Sequence, residues 1–359
     1  MNSKFWVALC NIGLPNFYIL RLGGINMDNI NNNINFGEND FGDMYDSFES
    51  TNSTNKASQP VNPLAEQTPN STRLKPYTRF DFEREVFGTD VVELLNILNY
   101  KKNIILQGAP GVGKTHTAKR LAFAKMEVKD ESRVLQVQFH QNYTYDDFIM
   151  GLRPTESGGF KFEPGPFYKI CKQAQNDPEH RDYFVIIDEI NRANMSKVLG
   201  EMFSLIEKDH RNEEISLKYN DEKFCVPDNL YIIGTMNTAD RGLVMLDYAL
   251  RRRFSFITTL PAFKSEGFRQ ILTTSNNVKF NKLARKIIEL NKFISQDEML
   301  GPGFMIGHSY FCLGRPVTTE DLKRIVDYEI MPLLQEYWYD DAEGKVEMWK
   351  DKFYHILEK

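Results

Sequence analysis

The sequence has few cysteines and no excess of basic residues. Its 359 residues include four cysteines, and none of them forms a Cys-x-x-Cys pair. This spacing suggests neither a zinc site nor a disulfide framework, and it predicts reduced thiols in a cytoplasmic protein. The formal net charge of −5 argues against a chain that binds nucleic acid through an extended basic surface. Any contact with DNA is therefore expected to be local or made through a partner.

A continuous apolar run long enough to cross a membrane is also missing. Residues 4–25 come nearest to a targeting signal, but Asn11, Pro15 and Asn16 interrupt them and no small-residue cleavage site follows. We therefore expect neither a signal peptide nor a membrane span.

Aliphatic residues are scarce from residue 26 to about residue 76. This stretch is rich in asparagine and then in Ser, Thr, Pro and Gln. Such a composition cannot offset the entropy lost on ordering, so residues 1–76 are predicted to be a disordered or linker segment. Met27 is an alternative start of the protein.

From residue 77 onward, apolar strand candidates alternate with helical segments. Strands are predicted at 103–107, 133–139, 183–188, 229–235 and 253–258, and helices at 114–125, 166–175 and 195–208. This alternation predicts an α/β domain over residues 77–260, with a parallel sheet flanked by helices. A polar and apolar alternation around Asn220 and Asp221 adds a β-hairpin within 213–227.

The strand pattern fades after residue 260. Helices are predicted there at 268–274, 281–295, 319–328 and 331–338. Residues 261–359 are therefore expected to form a small helical lid domain.

The most specific motif is a glycine-rich phosphate loop, of the Walker A type, directly after the first predicted strand. Residues 108–115 match the pattern G-x4-G-K-T. The glycines let backbone N–H groups point inward, and the helix that begins at Lys114 adds its positive end. Lys114 is predicted to contact the β- and γ-phosphates, and the Thr115 hydroxyl to ligate Mg²⁺. The predicted nucleotide-binding residues are Gly108, Ala109, Pro110, Gly111, Val112, Gly113, Lys114, Thr115 and His116.

Two carboxylates follow the third predicted strand. In a phosphate-loop sheet this strand lies near the nucleotide, so Asp188 is predicted to orient Mg²⁺ and Glu189 to polarise the attacking water. The alternative is a solvated strand end that carries two incidental acids.

An amide ends the fourth predicted strand. If that strand lies between the first and third strands of the sheet, Asn237 comes near the γ-phosphate and can act as a sensor that holds water or a phosphate oxygen. Residues 237–240 also resemble the guanine-reading N-K-x-D motif, but the strand end points to the γ-phosphate and not to the base. We therefore assign Asn237 to the sensor role.

Three arginines, at 251–253, precede the last predicted strand. They cannot easily reach their own nucleotide, but in a ring Arg252 and Arg253 would face the γ-phosphate of the neighbouring subunit as arginine fingers. A basic patch or a DNA contact is the alternative.

Taken together, these motifs resemble the McrB family of AAA+ GTPases. The resemblance rests on the phosphate loop and on residues 186–194, 234–241 and 247–256, and it extends through 141–149 and 301–311. It implies an AAA+ P-loop NTPase that binds GTP and Mg²⁺ and forms a hexameric ring. It further implies a separate McrC-type endonuclease as partner, which stimulates hydrolysis and cuts DNA. Consistent with that division, no nuclease motif stands out in this chain.

The chain departs from the family pattern at two places. The first 76 residues are too short and too polar to form the domain that reads methylated cytosine, so recognition of the DNA target is expected to come from elsewhere. Gly242 stands where the family commonly has serine, which we interpret as a tolerated loop change. The preference for GTP rests on the resemblance alone, because phosphate loop and carboxylates do not distinguish bases.

Other functions and weaker signals remain open at this stage. One alternative is a MoxR-like, ATP-dependent remodelling chaperone, and another is an assembly module that binds nucleotide without hydrolysing it. Arg153 and Lys161, with nearby aromatic residues, are candidates for a loop that grips a partner in the ring pore. Residues 303–309 either close over the nucleotide or form a tight turn that packs His308.

Overall fold

The computed structural model describes residues 74–156, 158–218, 222–239, 248–340 and 343–358. Residues 1–73 of the linker predicted over 1–76 lie outside the described residues, and its last residues include a short strand, Lys75–Pro76. The turn of the predicted hairpin at Asn220 and Asp221 and the segment 240–247 with Gly242 also lie outside the described residues.

Strands and helices alternate in the first part of the described chain. In chain order they are β1 (Lys75–Pro76), α1 (Arg79–Glu85), α2 (Val91–Lys101), β2 (Asn103–Gly108), α3 (Lys114–Met126), β3 (Val128–Lys129), β4 (Val134–Gln138), α4 (Tyr145–Phe148), β5 (Met150–Pro154), β6 (Phe160–Pro164), α5 (Pro166–Gln175), β7 (Tyr183–Asp188), α6 (Met195–Leu199), α7 (Met202–Leu205), β8 (Ile215–Ser216), β9 (Lys223–Phe224), β10 (Leu230–Asn237), α8 (Tyr248–Arg253) and β11 (Ser255–Thr258).

Helices make up the rest. They are α9 (Glu266–Ser275), α10 (Val278–Gln296), α11 (Thr319–Ile325), α12 (Met331–Tyr337) and α13 (Lys345–Glu358). A π-helical turn, Val326–Ile330, joins α11 to α12. Among the described residues, no helix combines the length and hydrophobicity needed to span a bilayer.

The central sheet has five parallel strands in the order β11-β2-β10-β7-β4. All five predicted strands are confirmed, and the fourth lies between the first and third, as expected. The inner strands β2, β7 and β10 are almost fully buried, because helices cover both faces of the sheet. One apolar core lies under α1, α2 and α3, and another lies under α4 to α7.

The predicted hairpin before the fourth strand is confirmed by the antiparallel pair of β8 and β9. The predicted helix over 195–208 is wrong. It breaks at Gly200, whose φ of 52° is left-handed and incompatible with a continuing helix. A second antiparallel hairpin, β5 with β6, was not predicted. Strand β6 is exposed over most of its length, so it carries no burial pattern that a sequence could reveal.

The helices after β11 form a core of their own, as predicted for a lid. Helix α13, which was not predicted, contributes Trp349, Phe353 and Leu357 to that core. Their spacing of four residues is the signal that could have revealed the helix. Helices α1 and α2 were also missed, although Asp90 caps α2 by accepting bonds from the N–H groups of Val92 and Glu93.

Candidate nucleotide site

The phosphate loop links the end of β2 to the start of α3. Gly111 and Gly113 have φ values of 73° and 82°, a left-handed backbone that glycine adopts without steric cost. The buried Lys114 places its Nζ 3.0 Å from the carbonyl oxygen of Gly108 and 2.8 Å from that of Ala109. The ammonium group is thus held within the loop, where phosphate oxygens can replace these carbonyls as its partners.

The remaining predicted loop residues differ in burial and contacts. Ala109 and Val112 are buried, and Pro110 is half-buried. His116 follows on the first turn of α3, and its Nε2 lies 3.0 Å from the carbonyl oxygen of Glu85. Burial, reinforced by Arg120, lowers the pKa of His116, so the neutral imidazole is favoured at pH 7.

The two predicted magnesium residues meet directly. The Thr115 hydroxyl donates to Asp188 Oδ1 at 2.7 Å, and the Thr235 hydroxyl donates to the same oxygen at 2.5 Å. Mg²⁺ prefers oxygen ligands and commonly takes only one or two from protein, with phosphate and water completing the set. In the described part of the chain no group of three or more His, Cys, Asp or Glu residues could hold a metal by itself. The Thr115 and Asp188 oxygens therefore fit Mg²⁺ bound together with a triphosphate.

The predicted water-polarising and sensor residues also meet. The Asn237 amide donates a hydrogen bond to Glu189 Oε1, and Asn237 is level with Gly108 in the register of β10 and β2. Arg192 lies 3.4 Å from the other carboxylate oxygen of Glu189. The carboxylate is thus oriented from two sides, next to the start of the phosphate loop.

Glu189 has a left-handed backbone, with φ 53° and ψ 47°. This conformation is uncommon for a residue other than glycine, asparagine or aspartate, and it costs about 1–3 kcal/mol. It directs the chain from β7 into the turn that contains Arg192, and the side chain of Glu189 lies beside Asn237.

Thr235, like Arg192, lies at this site although we assign it no role from the sequence. Alternation along a strand places its side chain on the same face as that of Asn237. That pattern could have predicted the contact between Thr235 and Asp188.

A cavity of about 490 Å³ opens beside the phosphate loop. Its lining includes Phe87 and His116 on one side and the lid residues Ile271 and Cys312 on the other. The volume lies within the range of about 300–1,000 Å³ found for small-molecule sites. It is a candidate site for a nucleobase. Its walls come from four separate segments of the chain, so no local sequence pattern indicates it.

The lid segment at 303–309 contacts the phosphate loop and also packs His308. The Ser309 N–H donates to the Gly111 carbonyl at 2.9 Å. The Ala262 N–H donates to His308 Nδ1 at 3.1 Å. Burial lowers the pKa of His308 to about 4, so the ring is neutral at pH 7 and accepts this bond.

The structure separates Arg252 and Arg253 from the phosphate loop of their own chain. The Asn103 amide donates to the Arg253 carbonyl at 3.1 Å, and Asn103 begins the strand that ends at Gly108. Five residues of strand span about 16 Å. The arginines therefore lie near the amino ends of the parallel strands, whereas the phosphate loop lies at their carboxyl ends.

These two arginines differ in their surroundings. Arg253 Nη2 lies 2.8 Å from Glu207, its Nε donates to the Phe203 carbonyl at 2.7 Å, and its side chain is only 15% exposed. The Arg252 side chain is 77% exposed, and its Nε lies 3.4 Å from the same Glu207 carboxylate. Arg253 is thus anchored, whereas Arg252 extends into solvent.

Comparison with known proteins identifies two family domains. The AAA domain of the dynein-related subfamily matches residues 103–254, and the McrB alpha-helical lid domain matches residues 282–346. The chain is 47% identical over 298 residues to the Type IV methyl-directed restriction enzyme EcoKMcrB subunit of Escherichia coli K12, covering 79% of this chain and 64% of that protein. The chain thus spans slightly less than two thirds of that relative.

Two further relatives are more distant. The chain is 28% identical to the Type II restriction enzyme BsuMI component YdiS of Bacillus subtilis, over 57% of this chain and 72% of that protein. It is 27% identical to Midasin of Giardia intestinalis, over 50% of this chain but 3% of that protein. The combination of an AAA domain with an McrB-type helical lid, both matched in sequence and seen in the fold, shows that this chain is a McrB-like member of the AAA family of P-loop NTPases.

Proposed function

We propose that this protein is the GTP-binding and GTP-hydrolysing motor subunit of a McrBC-like DNA restriction complex. It forms a hexameric ring and powers a separate McrC-type endonuclease, so that DNA is contacted mainly through the partner. The observation that supports hydrolysis best is the convergence of Asp188, Glu189 and Asn237 at the edge of the sheet that carries the phosphate loop. The similarity to the E. coli McrB subunit supports the restriction role.

The residues divide the work of hydrolysis according to their chemistry. Lys114 and the loop amides bind the β- and γ-phosphates. Thr115 and Asp188 would hold Mg²⁺, which neutralises phosphate charge when it is bound. Glu189 accepts a proton from the attacking water, and Asn237 keeps the Glu189 carboxylate oriented toward that water.

Assembly into a ring is supported by the position of the arginine pair. Arg252 and Arg253 lie near the amino ends of the strands, and their own phosphate loop lies at the carboxyl ends. They can therefore complete a nucleotide site only in a neighbouring subunit. An exposed arginine can contact a γ-phosphate with two donors at once. The hydrolytic site is then shared between two subunits.

Turnover of GTP and ATP by the purified protein tests the proposed function. We expect GTP to be hydrolysed faster than ATP, and the rate to rise when the product of a neighbouring nuclease gene is added. Phosphate release with each nucleotide at matched concentration measures both effects. Faster hydrolysis of ATP, with no response to the nuclease subunit, would contradict the proposal.

An ATP-dependent remodelling chaperone is the second candidate function. It is supported by the match to the dynein-related AAA subfamily and by the similarity to Midasin, which covers half of the chain. The match to the McrB lid domain favours the restriction role instead. The same comparison of nucleotides separates the two functions.

Replacement of Asn237 by alanine is expected to lower the maximal rate of hydrolysis by about 10²-fold or more, because a group that stabilises the transition state is lost. Nucleotide affinity should change little, since Lys114 and the loop amides remain. Steady-state turnover and equilibrium binding measured on the same preparation check this. A loss confined to affinity would assign Asn237 to binding.

A further inference from the structure

Backbone of the lid lies directly against backbone of the phosphate loop. A Cβ atom added to Gly307 would lie 2.0 Å from the carbonyl carbon and oxygen of Gly111. The Ser309 N–H donates to that same oxygen at 2.9 Å, and the Tyr310 ring packs against Gly111. The lid thus holds one peptide group of the loop by a hydrogen bond and by close packing.

That peptide group joins Gly111 to Val112. A trans peptide is planar, and its N–H points away from its C=O. Binding of the Gly111 carbonyl by the lid therefore directs the Val112 N–H to the side of the loop away from Ser309. Phosphate loops bind anions through such backbone N–H groups.

Gly111 is a point at which the loop backbone can rearrange. Its φ of 73° lies in a region that glycine adopts about as readily as φ of the opposite sign, so rotation about the backbone bonds of Gly111 meets little intrinsic resistance. The bond from Ser309 opposes that rotation. The lid segment makes a second contact nearby, where the Thr238 hydroxyl donates to the Gly303 carbonyl at 3.2 Å.

The geometry points to the lid segment 307–309 as a positioning element for the phosphate loop. The Ser309 amide holds the Gly111 carbonyl, and this presets the Val112 amide for a phosphate oxygen. Gly307 is required because no side chain fits between the two backbones. The inference rests on the proposed function only in that the chain binds a nucleoside triphosphate, and it applies equally to GTP and ATP.

Gly307→Ala is the direct test. The φ of Gly307 is not left-handed, so alanine is acceptable to its own backbone and the clash with Gly111 is the only strain introduced. We expect Kd for Mg-GTP and Mg-ATP to rise about 10-fold each, which corresponds to a loop that is binding-competent in about one tenth of molecules. Titration calorimetry measures Kd.

Hydrogen exchange supplies a readout that a merely structural role would not change. In the nucleotide-free Gly307→Ala protein, amides of residues 108–116 should exchange faster than in the wild type. Exchange in the central strands β7 and β10 should remain unchanged.

A matched control accompanies this variant. Gly165 lies between β6 and α5. In Gly165→Ala, the new Cβ would lie 2.4 Å from the carbonyl oxygen of Phe148 at the end of α4, which is a comparable clash with backbone. It should lower the unfolding temperature and leave Kd unchanged in the folded protein.

Tyr310→Ala keeps the test decisive if Gly307→Ala fails to fold. It removes the ring from Gly111 without adding bulk, so exchange at 108–116 should rise and Kd should increase about threefold. Unchanged Kd and unchanged exchange in a folded variant would overturn the inference. Weaker binding of both nucleotides, in a protein that hydrolyses ATP faster, would support the inference while contradicting the proposed GTPase function.

Discussion

Replacement of Arg252 by alanine should reduce NTP turnover by about 10³–10⁵-fold, the range measured for arginine fingers, and leave the fold intact. The Arg252 side chain is 77% exposed and forms a long ion pair with Glu207, so its removal costs little stability. Arg253→Ala is the matched comparison. It removes the close pair with Glu207 and the bond to the Phe203 carbonyl, and it should lower the unfolding temperature as well. Steady-state turnover and thermal unfolding of both variants measure the difference.

Mixed rings test whether Arg252 acts on the neighbouring subunit. A Lys114→Ala subunit has a defective phosphate loop but an intact Arg252, and an Arg252→Ala subunit has the reverse. Where the first stands beside the second, a complete site can form, so mixtures should recover part of the activity that neither variant has alone. Rings that assemble yet stay inactive at every ratio would remove the support for action in trans.

Replacement of Glu189 by glutamine should lower turnover by about 10²–10⁴-fold, the contribution typical of a general base. Nucleotide binding and ring assembly should persist. The glutamine keeps an Oε1 that can accept the bond from Asn237, but the amide is too weak a base to polarise water.

Lys114→Ala is the control for this variant, because it removes the phosphate-binding charge and should abolish tight binding. Equilibrium binding and sedimentation, measured beside turnover, separate the two roles. Equal losses of affinity in the two variants would contradict the separate roles of Lys114 and Glu189.

The sheet and the residues at its strand ends could be predicted because their signals are local. Apolar runs mark β2, β7 and β10, and the polar residues that end them must meet at one edge of a parallel sheet. Alternation along β10 extends the same logic from Asn237 to Thr235. The assigned roles of these residues stay predictions, whereas their placement follows from the fold.

The contacts between distant segments could not be predicted in this way. Backbone atoms make the contact between Gly307 and Gly111. Because glycine has no side chain, no hydrophobic or polar pattern in the sequence predicts this contact. The cavity lined by Phe87, His116 and Ile271 depends on how the lid packs. The difference between Arg252 and Arg253 depends on Glu207, which has no fixed spacing from them in the sequence.

At Glu189, the backbone conformation favours a residue that would stabilise the fold but could not carry out the proposed role in hydrolysis. Glycine there would relieve about 1–3 kcal/mol of conformational strain, a sizeable part of the 5–15 kcal/mol by which proteins are usually stable. Glycine would also remove the carboxylate assigned to the attacking water. Selection for thermostability alone would therefore favour loss of the carboxylate that we propose as the general base, and a more stable form of this protein must gain stability from substitutions at other positions.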